Sequence, residues 1–305
     1  MDFRKNAVFA VMIGVIGFSM KSIFIKYSYK NQLDLISIMN LRMLFSLPIL
    51  ALVYFFFKIY GNRANLTNRT NWKTVISCSI LYFVSSISNI AGLQYVSVTL
   101  ERIILFLIPV FVLILSRFFL KKKYPRDVYI LSFTSWFGVA IAFLGSDYPK
   151  DSSGNNSLIG ILLIFLSALS YACYFMLSGK EMENNGVIKF NTQVMILASI
   201  YSIIISLSYE QLSFSYFYSF SSIKYPFMLA VFSTVIPSFL MMYGVKYCGS
   251  EITAVINNVG PFVTIIVGYI TLDENISLYD ILGMIIVMIA IVKINKINFQ
   301  HRRLI

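Results

Sequence analysis

Lys21, Arg42, Glu101 and Arg102 each interrupt a long apolar stretch of the chain. Charge in such a setting is costly unless it is paired, hydrated or put to use. Three cations against one carboxylate leave an excess of positive charge, which suits a ligand bearing a carboxylate or phosphate. Arg42 offers a rigid fork of donors matched to such an oxyanion. Its competing use is a structural tie to helix carbonyls or to Glu101. Lys21 shares a helical face with Gly14, Phe18 and Ile25. There it either lines a central cavity or reaches the outer headgroups along its apolar stem. Glu101 is the candidate for carrying a coupled proton. Its alternatives are a helix-start carboxylate favoured by the dipole and a partner for Arg42 or Lys21.

Uncharged groups extend this set. Asn40, beside Arg42, and Asn89, Asn257 and Asn258 are amides within apolar stretches. An amide both donates and accepts, as a zwitterion requires, and it serves equally as a bond between helices. Tyr171 and Tyr174, like Tyr82, Trp136, Tyr201 and Tyr243, place rings inside apolar stretches. Such rings wall a ligand cavity or simply pack. The candidate substrate-binding residues are therefore Lys21, Asn40, Arg42, Asn89, Glu101, Arg102, Tyr171, Tyr174, Asn257 and Asn258.

Several chemistries lack their residues. The single histidine is His301, in the tail, which argues against a histidine metal site or a Ser-His-Asp triad. Cys78, Cys173 and Cys248 are widely spaced and form no CxxC pair. No GxxxxGK[ST] loop is present to hold a nucleotide. Neither paired carboxylates nor a histidine beside a nucleophile occur in the apolar stretches, so an enzyme is not expected. No metal or other cofactor is expected either.

The elements that position these residues follow from composition. The chain has 305 residues, 58% of them apolar and only 12% charged, with a mean hydropathy of +0.77. No soluble surface can be coated with so few polar residues, so the lipid bilayer must be the solvent. The expected fold is an all-α integral membrane protein of about ten transmembrane helices. The spans are predicted near 7–28, 35–57, 74–95, 98–116, 127–145, 157–178, 191–209, 225–246, 251–271 and 278–294. Lysine and arginine crowd one set of connections: eighteen fall on the side of the N-terminus and five on the other. That bias predicts both termini in the cytoplasm. It also accounts for the net charge of +12 without nucleic acid as a partner.

The two halves, 1–150 and 151–305, resemble each other. Gly92-Leu93-Gln94-Tyr95 is followed by Pro109, and Gly244-Val245-Lys246-Tyr247 by Pro261 at the same spacing. Five spans repeated once, an odd number, force the second copy to enter from the opposite face. Such inverted repeats serve alternating access to a central site. Pro109 and Pro261 occupy equivalent places and, with Pro48 and Pro237, mark expected helix interruptions.

These features resemble the drug/metabolite transporter superfamily, EamA type. The resemblance rests on Asn40-Leu41-Arg42-Met43-Leu44-Phe45 and on Gly92-Leu93-Gln94-Tyr95-Val96-Ser97. It continues through Pro261-Phe262-Val263, Leu272-Asp273-Glu274-Asn275 and Ile281-Leu282-Gly283. Lys121-Lys122-Lys123 stands where that family usually carries a glutamate. The resemblance implies a ten-helix bundle in the cell (inner) membrane that moves a small metabolite, often an amino acid or related acid, often outward. The alternatives are export of drugs or apolar cations, and a passive channel for small solutes. A monomer is the simplest assembly.

Overall fold

The structure is a computed structural model that describes residues 3–60, 70–119, 121, 125–145, 155–208, 220–248, 260–272 and 276–303. It is helical throughout, with no strand among the described residues. In chain order the helices are α1 (Phe3–Ser19), α2 (Lys21–Lys30), α3 (Leu35–Tyr60), α4 (Trp72–Gly92), α5 (Val98–Leu105), α6 (Ile108–Phe119) and α7 (Arg126–Gly145). There follow α8 (Asn155–Asn185), α9 (Val187–Ser208), α10 (Phe220–Ala230), a π-helical turn (Val231–Val235), α11 (Ile236–Cys248), α12 (Gly260–Leu272) and α13 (Leu278–Arg303).

Seven stretches of the described residues are long and apolar enough to cross a membrane: Asn6–Lys30, Leu35–Phe56, Trp72–Gly92, Val98–Phe119, Leu158–Ser178, Ile188–Leu207 and Ser222–Met241. The apolar part of α12, Val263–Leu272, is shorter. The segment before it, with Asn257 and Asn258, lies outside the described residues. The outward face is what a bilayer demands. Phe133, Leu278, Ile270 and Phe9 are exposed, and in water such a surface would drive aggregation.

Local chemistry explains where the helices begin and turn. Asp34 caps α3, its Oδ2 accepting from the Ile36 and Ser37 amides at 3.2 and 3.4 Å. Ser97 caps α5 by accepting from Leu100 N at 3.1 Å. At α13 the cap is reciprocal, with Ser277 N donating to Asp280 Oδ2 at 3.0 Å and Asp280 N to Ser277 Oγ at 3.1 Å. Gly186, at φ 77°, supplies the left-handed residue that lets α8 end and α9 begin at once.

Of the interruptions expected at proline, two are seen. Pro109 follows the break between α5 and α6, and Pro237 follows the π-turn. Pro48 lies within a continuous α3 instead, because the apolar flanks hold the helix together around one missing bond. Pro261 is the second residue of α12, and the residues that precede that helix lie outside the described ones.

Helix pairs set the bundle. The main partners are α4 with α8, α1 with α11, α3 with α9, and α7 with α13. The largest buried cluster joins Leu100, Ile103, Ile104 and Leu107 to Ile164, Ala168, Ala172 and Val287. Helices α7 and α13 cross where two glycines face each other. A Cβ on Gly283 would stand 2.5 Å from the Gly138 carbonyl and 2.7 Å from Ala142 Cβ. One on Gly138 would stand 2.9 Å from the Gly283 carbonyl and 2.8 Å from Val287. Small residues of this kind let helix backbones touch in lipid, where packing rather than water drives association.

This geometry makes a contrast testable. Gly283→Val should push α7 and α13 apart and lower the melting temperature in detergent sharply. Gly186→Ala meets nothing within 4 Å and should cost only about 1 kcal/mol of backbone strain. Thermal denaturation followed by size-exclusion chromatography would compare the two. Equal losses would refute the tight crossing.

Candidate functional site

Glu101 is the anchor of the site. It lies in the first turn of α5, which Ser97 caps, and has no solvent exposure. Its Oε1 accepts from Asn89 Nδ2 of α4 at 2.8 Å, and its Oε2 accepts from Ser22 Oγ of α2 at 2.9 Å. The neighbouring Arg102 completes it, with Nε 3.3 Å from Oε2. Neither Arg42 nor Lys21 is the partner at ion-pair distance. Of the alternatives open to Arg42, the tie to Glu101 is not made at ion-pair distance, and Glu101 pairs instead with its neighbour on α5.

Arg102 reaches further, into the junction of α1 and α2. Its Nη2 donates to the carbonyl of Phe18 at 2.9 Å and to Ser22 Oγ at 3.0 Å. The Ser19 carbonyl accepts from Thr264 Oγ1 of α12 at 3.0 Å, and Ser19 Oγ donates to the Gly260 carbonyl at 2.9 Å. A broken helix in lipid must have its polar groups satisfied by protein. Here one arginine and two hydroxyls do so, tying the α1–α2 junction to α5 and α12.

Arg42, on α3, is buried and held by hydroxyls rather than by carbonyls. Nη1 donates to Ser86 Oγ at 2.5 Å, Nη2 to Tyr82 OH at 3.3 Å, and Nε to Thr234 Oγ1 at 3.1 Å. Among the described residues none of these partners carries charge. Thr234 sits in the π-turn, and its Oγ1 donates to the Leu229 carbonyl at 2.9 Å. Gly17 of α1 presses on the same irregularity, since a Cβ there would lie 2.5 Å from the Phe232 carbonyl and 2.6 Å from the Pro237 ring. The end of α1 thus packs against the π-turn and is tied by Arg102 to α5.

Lys21 starts α2, at the junction itself. The charges of Arg42, Glu101 and Arg102 all act on it, so the four ionised residues picked out in the sequence share one neighbourhood. Among the described residues Lys21 makes no ion pair. Tyr171 is joined to the group by the charge of Arg42 and by Tyr82. Its ring lies 5.6 Å from that of Tyr174, which lies 5.9 Å from that of Tyr82. Tyr174 is itself buried with Val75, Cys78, Phe190 and Val194, and its hydroxyl donates to Asn191 Oδ1 at 3.3 Å.

Asn40 turns elsewhere. Its Oδ1 accepts from Ser202 Oγ of α9 at 2.8 Å, so it belongs to the α3–α9 seam rather than to the arginine. Among the described residues, three buried amide atoms have no partner: Asn40 Nδ2, Asn89 Oδ1 and Gln193 Oε1. Ser22, Ser86, Thr234 and Thr264 were absent from the sequence-derived set. The run Ser85-Ser86-Ile87-Ser88-Asn89 in an otherwise apolar stretch was the available signal for one of them.

The model of the EamA-like transporter family matches residues 5–146 and again 158–296. The uncharacterized transporter YcbK of Bacillus subtilis (strain 168) is 27% identical over 280 residues, covering 90% of this chain and 87% of that protein. A second uncharacterized transporter of the same strain, YdfC, is 26% identical over 215 residues, 68% of this chain and 67% of its own. A solved crystal structure at 13% identity aligns over 99% of both chains with a TM-score of 0.64, which shows a shared fold. With both halves matched by one family model, the chain belongs to the EamA-like transporter family and is a multi-pass membrane transporter rather than an enzyme.

Proposed function

We propose that the chain is a secondary transporter that moves a small carboxylate-bearing metabolite, an amino acid or related organic acid, by alternating access. One observation carries the substrate class. Glu101 is consumed by Arg102, Ser22 and Asn89, which leaves Arg42 among neutral hydroxyls and Lys21 with no ion pair among the described residues. Two cations without counter-charge, in one neighbourhood at membrane depth, require an anion. The guanidinium fork suits a carboxylate, and the rings of Tyr171 and Tyr174 wall the less polar remainder. The unpartnered Asn89 Oδ1 is an acceptor for an ammonium group if the substrate is a zwitterion.

The transport mechanism rests on a two-fold relation between halves. The pairs α4–α8 and α1–α11 exchange under a swap of the third and first spans of each half. The pairs α3–α9 and α7–α13 each map onto themselves. The α7–α13 crossing supports this in detail, because Gly138 meets Val287 while Gly283 meets Ala142, equivalent places in the two helices. This pattern fits ten crossings in two inverted repeats, residues 1–150 and 151–305, with both termini in the cytoplasm and the protein in the cell membrane. Energy then comes from a solute gradient or an exchange, in either direction of transport.

Proteoliposome uptake tests the substrate class. Amino and organic acids should show saturable uptake and counterflow, and Arg42→Gln or Lys21→Met should each reduce it at least about tenfold. Transport of only apolar cations would overturn the anionic site, and flux linear in concentration would indicate a channel. Glu101→Gln tests a separate point. Removing the charge leaves Arg102 uncompensated, so stability in detergent should fall by about 3 kcal/mol. Full stability with loss of a pH-dependent step would instead make Glu101 the proton carrier. For the topology, reporters placed in 58–73 and 146–156 should fall on opposite sides. The same side for both would overturn it.

A further inference from the structure

We propose that an anionic phospholipid, of the phosphatidylglycerol type, is held as a specific ligand in the groove between the first turns of α7 and the last turns of α13. The two helices run antiparallel and meet at Gly138 and Gly283. Toward the start of α7 and the end of α13 a shallow surface groove of about 330 Å³ is lined by Asp127, Ile130 and Leu131 of α7 and by Lys293, Lys296 and Ile297 of α13. The floor is closed by Val128 and Ile294 packed with Val110 and Leu113, so the groove is built rather than a gap between loose side chains.

The occupant follows from charge and from position. Lys293 and Lys296 are one turn apart on one face, both exposed, and neither is in an ion pair among the described residues. Arg126 is exposed nearby on α7. Two lysines at a membrane surface bind phosphate as point charges and attract anionic lipid. Asp127 adds an acceptor beside them, and a glycerol headgroup carries hydroxyls to donate to it, whereas a choline headgroup has none. Ile130 lies at the apolar side of the cavity. Beyond it along α7 come Phe133 and Phe137, both exposed, a continuous apolar track for an acyl chain. A soluble phosphate ester would meet the same lysines but leave that track uncovered. The site is separate from Lys21 and Arg42, so its occupancy and substrate transport are read by different measurements.

Native mass spectrometry of the full-length protein, purified and exchanged into detergent with phosphatidylglycerol or phosphatidylcholine, tests this. One phosphatidylglycerol should remain bound per chain, and phosphatidylcholine should not. Lys293→Gln with Lys296→Gln should weaken retention by roughly thirtyfold, the joint worth of two surface lysines, with the melting temperature in lipid-free detergent unchanged. Leu131→Trp, which fills the groove and keeps both lysines, should also displace the lipid. Thermal stabilisation by glycerol phosphate equal to that by the lipid would make the site one for a soluble phosphate and overturn the proposal. So would equal retention of phosphatidylglycerol by the lysine variant.

Discussion

A carboxylate with no access to solvent has to be answered by protein, and in this bundle Glu101 is answered by three different elements. Ser22 comes from α2, Asn89 from α4 and Arg102 from α5 itself. In hydrocarbon each missing partner would cost several kcal/mol, so these helices are held in one relative placement. Arg102 then carries the constraint onward to the Phe18 carbonyl, and Thr264 carries it to α12. These donors satisfy the Phe18 and Ser19 carbonyls where α1 passes into α2. The break in turn is what sets Lys21 at the head of a new helix, beside the other charges.

The proposed alternating access would need the layers on either side of the candidate site to separate in turn, and the two layers here are built differently. Toward the α2–α3 turn, Tyr27 stacks on Tyr225 with centroids 4.9 Å apart, and donates to the Thr271 carbonyl. Tyr29 donates to the Ile90 carbonyl at 2.8 Å. Toward the start of α4, the closure is an apolar plug of Val75, Cys78, Tyr174, Phe190 and Val194, with Glu181 accepting from the Asn71 amide at 2.9 Å.

Much of this fold is legible in the amino-acid sequence because a bilayer imposes harsh and simple demands. Apolar length marks helices, and lone charges in apolar stretches mark the site. Lys21, Arg42, Glu101 and Arg102 do come together. The partners of those charges were less visible. Ser22, Ser86 and Thr234 are small hydroxyls, and a serine in a helix is as often bonded to its own backbone as to a neighbour. Ser46 does so with the Arg42 carbonyl at 2.8 Å. The π-turn left only Pro237 as its signal, since apolar spacing does not distinguish five residues per bond from four. Asn40 is a related case: it is near Arg42 in sequence, but its Oδ1 turns to another face, toward Ser202.

Holding Arg42 by hydroxyls rather than by a carboxylate has a consequence for selectivity. A carboxylate partner would have to be displaced by any anion, at the cost of its own desolvation. Ser86, Tyr82 and Thr234 orient the guanidinium through neutral bonds and leave its charge to be met by a ligand. Thr234 also belongs to the π-turn, against which Gly17 of α1 is pressed. An anion drawing Arg42 toward itself would therefore act on α10, α11 and α1 together. A ligand shifts a conformational equilibrium only by its difference in affinity between states. In the proposed mechanism that difference would come through Arg42, whose hydroxyl partners sit on α4 and in the π-turn.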